Sequence, residues 1–130
     1  MYPTNNFQLR LDSFVQHYFN TFDNADARNN LLSLYRPESM LVWEGSQHQG
    51  AQNIISALTK PELKVVKTMI NTNDATPSIN GGVLVVVTGN LAIDNAFDKP
   101  LHFTATFSLQ PIPGQPGGFF VYSHIFRLIL

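Results

Sequence analysis

Cysteine is missing from all 130 residues. That excludes disulfides, thiolate catalysis and zinc knuckles, and it suits a reducing compartment such as the cytosol or nucleus. Charge is scarce too: Asp, Glu, Lys and Arg make up 13% of the chain, about half the usual share. The formal net charge is −1. A nucleic-acid binder needs a basic excess to displace counterions from phosphates, so nucleic acid is not an expected partner. No apolar run approaches the ~18 residues of a membrane span. The opening "MYPTNNFQLR" lacks the basic region and apolar stretch of a signal peptide. His17, His48, His102 and His124 are scattered, without the i,i+4 partner or carboxylate companion of a metal site. Neither metal nor cofactor is expected.

What is present is apolar. Hydrophobic residues make up 44% of the chain, enough for a sizeable core in a single domain over residues 1–130. A surface so poor in charge points to part of it being buried against a second copy or a partner.

Periodicity divides the chain in two. Phe7, Leu11, Phe14, Tyr18 and Phe22 recur at spacings of four and three, flanked by Val15 and Phe19. The spacing predicts an amphipathic helix of roughly four turns, capped by Asn5 or Asn6. "NNLLSLYR" predicts a short second helix stopped near Pro37. Met40 to Glu44 reads as a strand, "GSQHQG" as a polar turn and "AQNIISALTK" as a third helix ended by Pro61. The remainder reads as strands. Residues 63–79 alternate, with Val66, Thr68, Ile70 and Thr72 on one side. "NGG" marks a hairpin. "VLVVVTGNLAID" is apolar enough to be buried in part on both faces. "LHFTATFSLQ" and "FFVYSHIFRLIL" close the chain. Helices followed by a four- or five-strand meander make an α+β domain, a curved antiparallel sheet wrapped round the first helix.

Three stretches carry a more specific signal: "FVQHYFNTFDN" (14–24), "LVWEGSQHQG" (41–50) and "IFRL" (125–128). Together, in this order and spacing, they resemble the nuclear transport factor 2 family over essentially the whole chain. The resemblance implies a cone-like α+β fold: a long N-terminal helix and two shorter helices on a strongly curved, mostly antiparallel sheet, assembled as a homodimer. It also implies a function. Members bind the small GTPase Ran in its GDP form at the mouth of an apolar cavity. They bind phenylalanine-glycine repeats of nucleoporins elsewhere, and carry Ran-GDP through the pore. The implied location is cytoplasm and nucleus, concentrated at the nuclear pore.

Strand alternation by itself puts Trp43 in the core and Glu44 in water, since neighbours point opposite ways. The resemblance instead places Trp43 on the cavity wall and Glu44 on its rim. It makes Asp94, at the end of "GNLAID", a rim acid; the residues alone read it as a turn aspartate. The family's second acid, two residues on, is Ala96 here, with Asp98 nearby. Val66 and Ile125 match wall positions and read otherwise as ordinary core. Phe7 stands where the family has an aromatic of the nucleoporin-repeat patch. His124 stands where the family has a small acid, and Arg127 reads as an ion-pair partner.

Two rival classes remain. A cavity enzyme, an isomerase or dehydratase, needs an acid and a base facing each other. Glu44 and Asp94 are expected at the mouth and yield no such pair, so the reading is not an enzyme. The small subunit of a heterodimeric messenger-RNA export adaptor is the nearer alternative; "WEG" and Asp94 favour the Ran carrier.

Overall fold

A computed structural model describes the backbone of residues 5–129 and the side chains of residues 12–129. Helix α1 (Asn5–Asp23) leads into a 3-10 segment (Arg28–Leu34), strands β1 (Tyr35–Trp43) and β2 (Ser46–Gln49), and helix α2 (Ala51–Leu58). Strands β3 (Val66–Pro77), β4 (Val83–Ile93), β5 (Leu101–Pro111) and β6 (Phe119–Ile129) follow. The six strands form one sheet in the order β2-β1-β6-β5-β4-β3. All neighbours are antiparallel except β1 and β6, which run parallel.

Four expectations are corrected. The second helix is a 3-10 segment, and Tyr35 to Pro37 belong to β1, which starts earlier than Met40. Pro37 falls within a register irregularity between Tyr35 and Met40, where a missing N–H costs no ladder bond. The "GSQHQG" turn is mostly strand: β2 pairs with β1 from Gln49–Met40 to Ser46–Trp43. In β3, a shift between Ile70 and Thr72 resets the alternation. Thr72 therefore faces outward, where its hydroxyl meets that of Thr88 at 2.5 Å, while Asn73 and Ala75 turn inward.

The core lies between the inner sheet face and the helices. From α1 come Val15, Tyr18, Phe19 and Phe22; from α2 come Ile54, Ile55 and Leu58. They meet Val85 and Val87 of β4, Phe103 and Phe107 of β5 and Phe126 of β6. The "VLVVV" run behaves as a one-sided strand within the chain. Val83, Val85 and Val87 are buried, but Leu84 and Val86 remain 38% and 37% exposed on the outer face. Further along, Leu91 and Ala92 are buried side by side.

Two polar anchors tie α1 to its neighbours. The Asp23 carboxylate, at the helix end, accepts hydrogen bonds from the Thr68 N–H at 3.0 Å and its hydroxyl at 2.9 Å. Arg28 is fully buried and donates to the carbonyls of Phe22 (2.7 Å), Leu58 (3.1 Å) and Leu63 (2.6 Å). Its guanidinium lies 4.4 Å from the centre of the Phe22 ring. One cation thus binds the ends of α1 and α2 together, using carbonyls that helix ends leave unpaired. Burial lowers its pKa, and the nearby Asp23 charge opposes that.

Candidate functional site

The stretch Trp43–Ser46 is a two-residue hairpin. Trp43 and Ser46 are the last pair of β1 and β2, leaving Glu44 and Gly45 as the turn. Both have positive φ, 52° and 85°, as the type I′ turn that suits a twisted hairpin requires. Gly45 adopts this freely; a Cβ there would also meet the Arg127 guanidinium at 3.4 Å. Glu44 does not, and a non-glycine residue in this region costs about 1–2 kcal/mol. Two hydrogen bonds hold it. Its N–H donates to the Phe126 carbonyl at 3.0 Å, and its carboxylate accepts from the Leu128 N–H at 2.5 Å.

The turn, and not the strand, sets where Glu44 points. Alternation stops at Trp43, and Glu44 is aimed by the turn rather than by the pleat. Trp43 faces inward and stacks on Phe126, with ring centres 4.0 Å apart and planes 6° from parallel. Phe22 lies beyond it at 6.1 Å. Together with Tyr18, Phe19 and His124 these rings pack round a gap too narrow for a water-sized sphere.

The register collects most of the expected residues at one end of the sheet. Trp43 pairs with Phe126, Ile129 with His102, Leu101 with Leu91 and Ile93 with Val66. The turns bearing Glu44 and Asp94 therefore both follow strand ends on the same side of the sheet, three strands apart and staggered by six residues along them. Asp94 is exposed and, like Glu44, has positive φ, 54°; its N–H donates to the Val65 carbonyl at 2.9 Å. Val66 is buried in the core at this end, outside the aromatic cleft. Asp98 is exposed and Ala96 half-buried in the loop that follows. That loop brings Phe97 and Pro100 against Met69 over a second hollow of about 370 Å³.

Ile125 is not on the inner wall. It is 50% exposed on the outer face, between inward-facing His124 and Phe126. The parity of β6 forces this, since only alternate residues share a face. Phe126, one position on, is the wall residue. The side chain of Phe7 lies outside the described residues.

The residues alone did not point to the polar floor of the cleft. The hydroxyls of Tyr18 and Tyr35 are 2.6 Å apart, and His124 Nδ1 lies 3.4 Å and 3.2 Å from them. His124 also stacks on Phe107, ring centres 4.1 Å apart. All three polar side chains are buried. Burial raises both phenols, with a mutual contribution from the pair at Tyr35, and pushes the imidazole down to about 3. The cluster is neutral near pH 7. Its signal was the tyrosine in α1 and a histidine in place of an acid, but only the fold joins them across 106 residues of sequence.

Helix α1 packed on a mixed six-strand sheet, with acid-bearing turns after β1 and β4, defines the class of fold. Residues 11–128 match the family model of the nuclear transport factor 2 (NTF2) domain, and the chain belongs to that family. It is 42% identical over 118 residues to nuclear transport factor 2 of Neurospora crassa, covering 90% of each chain. With nuclear transport factor 2 of Saccharomyces cerevisiae it shares 42% over 123 residues, 94% of each. Nuclear transport factor 2B of Arabidopsis thaliana is 41% identical over 117 residues, 89% of each. Among solved structures, nuclear transport factor 2 from Cryptosporidium parvum superposes with a TM-score of 0.85 at 38% identity. That match covers 98% of this chain and 96% of the other.

Proposed function

We propose that this chain carries Ran in its GDP form through nuclear pores into the nucleus. The observation that carries the reading is the "WEG" hairpin. Its turn leaves the exposed Glu44 carboxylate directly after Trp43, whose ring stacks on Phe126, and that pairing of acid and aromatic supports the reading. An apolar side chain of the partner entering the cleft would gain about 1.5–3 kcal/mol by burial. Glu44 and Asp94 would select a basic partner segment and speed encounter more than they add affinity. Nucleotide preference follows if the docking segment of Ran has the right shape only in the GDP form. The carrier then needs no contact with the nucleotide.

Three further parts belong to this proposal. The chain acts as a homodimer through its outer sheet face, where Leu84, Val86, Tyr122 and Ile125 are exposed among Thr104, Thr106 and Ser108. Phe7 serves phenylalanine-glycine repeats, with two sites per dimer raising effective concentration. The protein works in cytoplasm and nucleus, concentrated at the pore.

It is a carrier and not an enzyme. What supports this is that the curated relatives over most of the chain are named transport factors. Turnover of a steroid-like ketone, lost in Tyr18→Phe, would revive the enzyme. Light scattering on the purified chain separates a homodimer from the subunit of a heterodimeric export adaptor.

The test of the main reading is retention on immobilised Ran loaded with GDP or a GTP analogue. Retention is expected only on the GDP form, and Glu44→Lys should abolish it. Equal retention on both forms, or indifference to the charge reversal, would refute the docking site.

A further inference from the structure

The sequence makes Arg127 an ion-pair partner, yet among the described residues no carboxylate pairs with it, and no cation pairs with Asp74. Both stand on the outer face of the sheet, since residues directly opposite each other share a face. Arg127 lies opposite Thr104, Thr104 opposite Thr88, and Thr88 opposite Thr72. The next row on that face runs Ile125, Thr106, Val86, Asp74. In one chain the two charges are thus three strands and one row apart, outside ion-pair reach. The face between them is bare of charge. Strands β4 and β5 contain no Asp, Glu, Lys or Arg, and Arg127 is the only one in β6. Strand β3 adds only Asp74 and Lys67, and Lys67 acts on Asp23.

We propose that these charges meet across the homodimer, Arg127 of each copy against the partner's Asp74, about a two-fold axis that runs along β5. The inference rests on the homodimer reading above and fixes which strands face which. An axis along β5 lays β6 of one copy on β4 of the other. Ile125, 50% exposed, then covers the partner's Val86 from the same row, apolar against apolar. Strand β3 of the partner falls over β1, beside β6. That sets the partner's Asp74 one strand and one row from Arg127. Sheets packed face to face lie about 10 Å apart, a gap that the long arginine and a facing carboxylate span together. Arg127 is exposed beside Gly45, free to turn toward it. Closing the sheets strips water from Asp74, and a carboxylate so desolvated is costly without a cation. Symmetry makes the contact twice. An axis across the strands would lay β3 on β3 and β6 on β6, where Asp74 and Arg127 cannot meet.

Charge reversal reads the pairing. Asp74→Lys and Arg127→Glu each place like charges at both contacts. Light scattering over a concentration series should show each variant alone with its dimer Kd raised about 100-fold. An equimolar mixture of the two should dimerise within a few-fold of the unaltered protein, because both contacts of the mixed dimer are again between unlike charges. The chain carrying both reversals should also self-associate normally, and it keeps the test decisive if a single variant fails to fold. Undiminished self-association of either single variant would overturn the pairing, as would a failure of the mixture and the double reversal to recover the dimer. In those cases the homodimer itself still stands. A monomeric unaltered protein defeats the homodimer reading, and the pairing with it.

Discussion

Acidifying the solution from about pH 7.5 to about pH 4.5 puts a proton on a histidine in the unfolded chain, but not on His124 in the folded one. Burial holds that imidazole at about 3, against about 6.5 when solvated. The folded pKa is depressed, so the unfolded state binds more protons between these values, and stability falls as pH drops. Linkage gives a loss of roughly 1 kcal/mol by pH 5.5 and roughly 3 kcal/mol by pH 4.5, nearly all of it absent at pH 7.5. Against a typical stability of about 5–15 kcal/mol that is a large fraction. Urea unfolding at several pH values reads it. Other groups titrate in the same window, and Asp23, whose carboxyl burial raises, acts in the opposite direction. The comparison is therefore with His124→Phe, which keeps a ring against Phe107 and retains every other titrating group. The variant should be less stable near neutrality, because the tyrosine pair loses its acceptor, yet lose roughly 3 kcal/mol less on acidification. If the two proteins lose stability in parallel, the imidazole is not the buried neutral base described above.

Other expectations are simpler. Arg28→Met keeps bulk but strands the carbonyls of Phe22, Leu58 and Leu63; it should cost about 2–4 kcal/mol, read as a lower urea midpoint at unchanged slope. Ile125→Lys puts a charge in the middle of the outer face and should halve the mass seen by light scattering while leaving the circular dichroism intact. A retained dimer mass would move the interface elsewhere. Phe7→Ala should weaken binding to phenylalanine-glycine repeats and spare Ran-GDP; loss of both would mean the surfaces are not separate.

The core stripe of α1, the ends of most strands and the α+β class are readable from periodicity, because burial imposes periods that survive in the sequence. Pairing between β1 and β6 is not. A parallel contact between the first strand and the last has no connecting turn to announce it, and it is this contact that lays Trp43 on Phe126. Once it is known, the parity of "HIFR" assigns Phe126 to the wall and Ile125 to the outer face. Without it, neighbouring apolar residues are interchangeable. The bulge after Ile70 is equally silent: a polar stretch such as "NTND" shows no preference for the residue that skips a face. Alternation does put Glu44 in water, but the turn that aims it is unread, because positive φ at a glutamate has no compositional mark.

On the proposed docking role of Glu44, its hairpin sets fold and task against each other at a single position. Glycine or asparagine would relieve the left-handed backbone there and raise the melting temperature. A screen for thermal tolerance, blind to cargo, would therefore collect substitutions that erase the charge at the lip of the cleft. Laboratory selection for robustness and selection for transport would part company at residue 44, and again at Asp94, whose φ is also positive. Sequencing the survivors of each would show which residues the backbone chose and which the partner did.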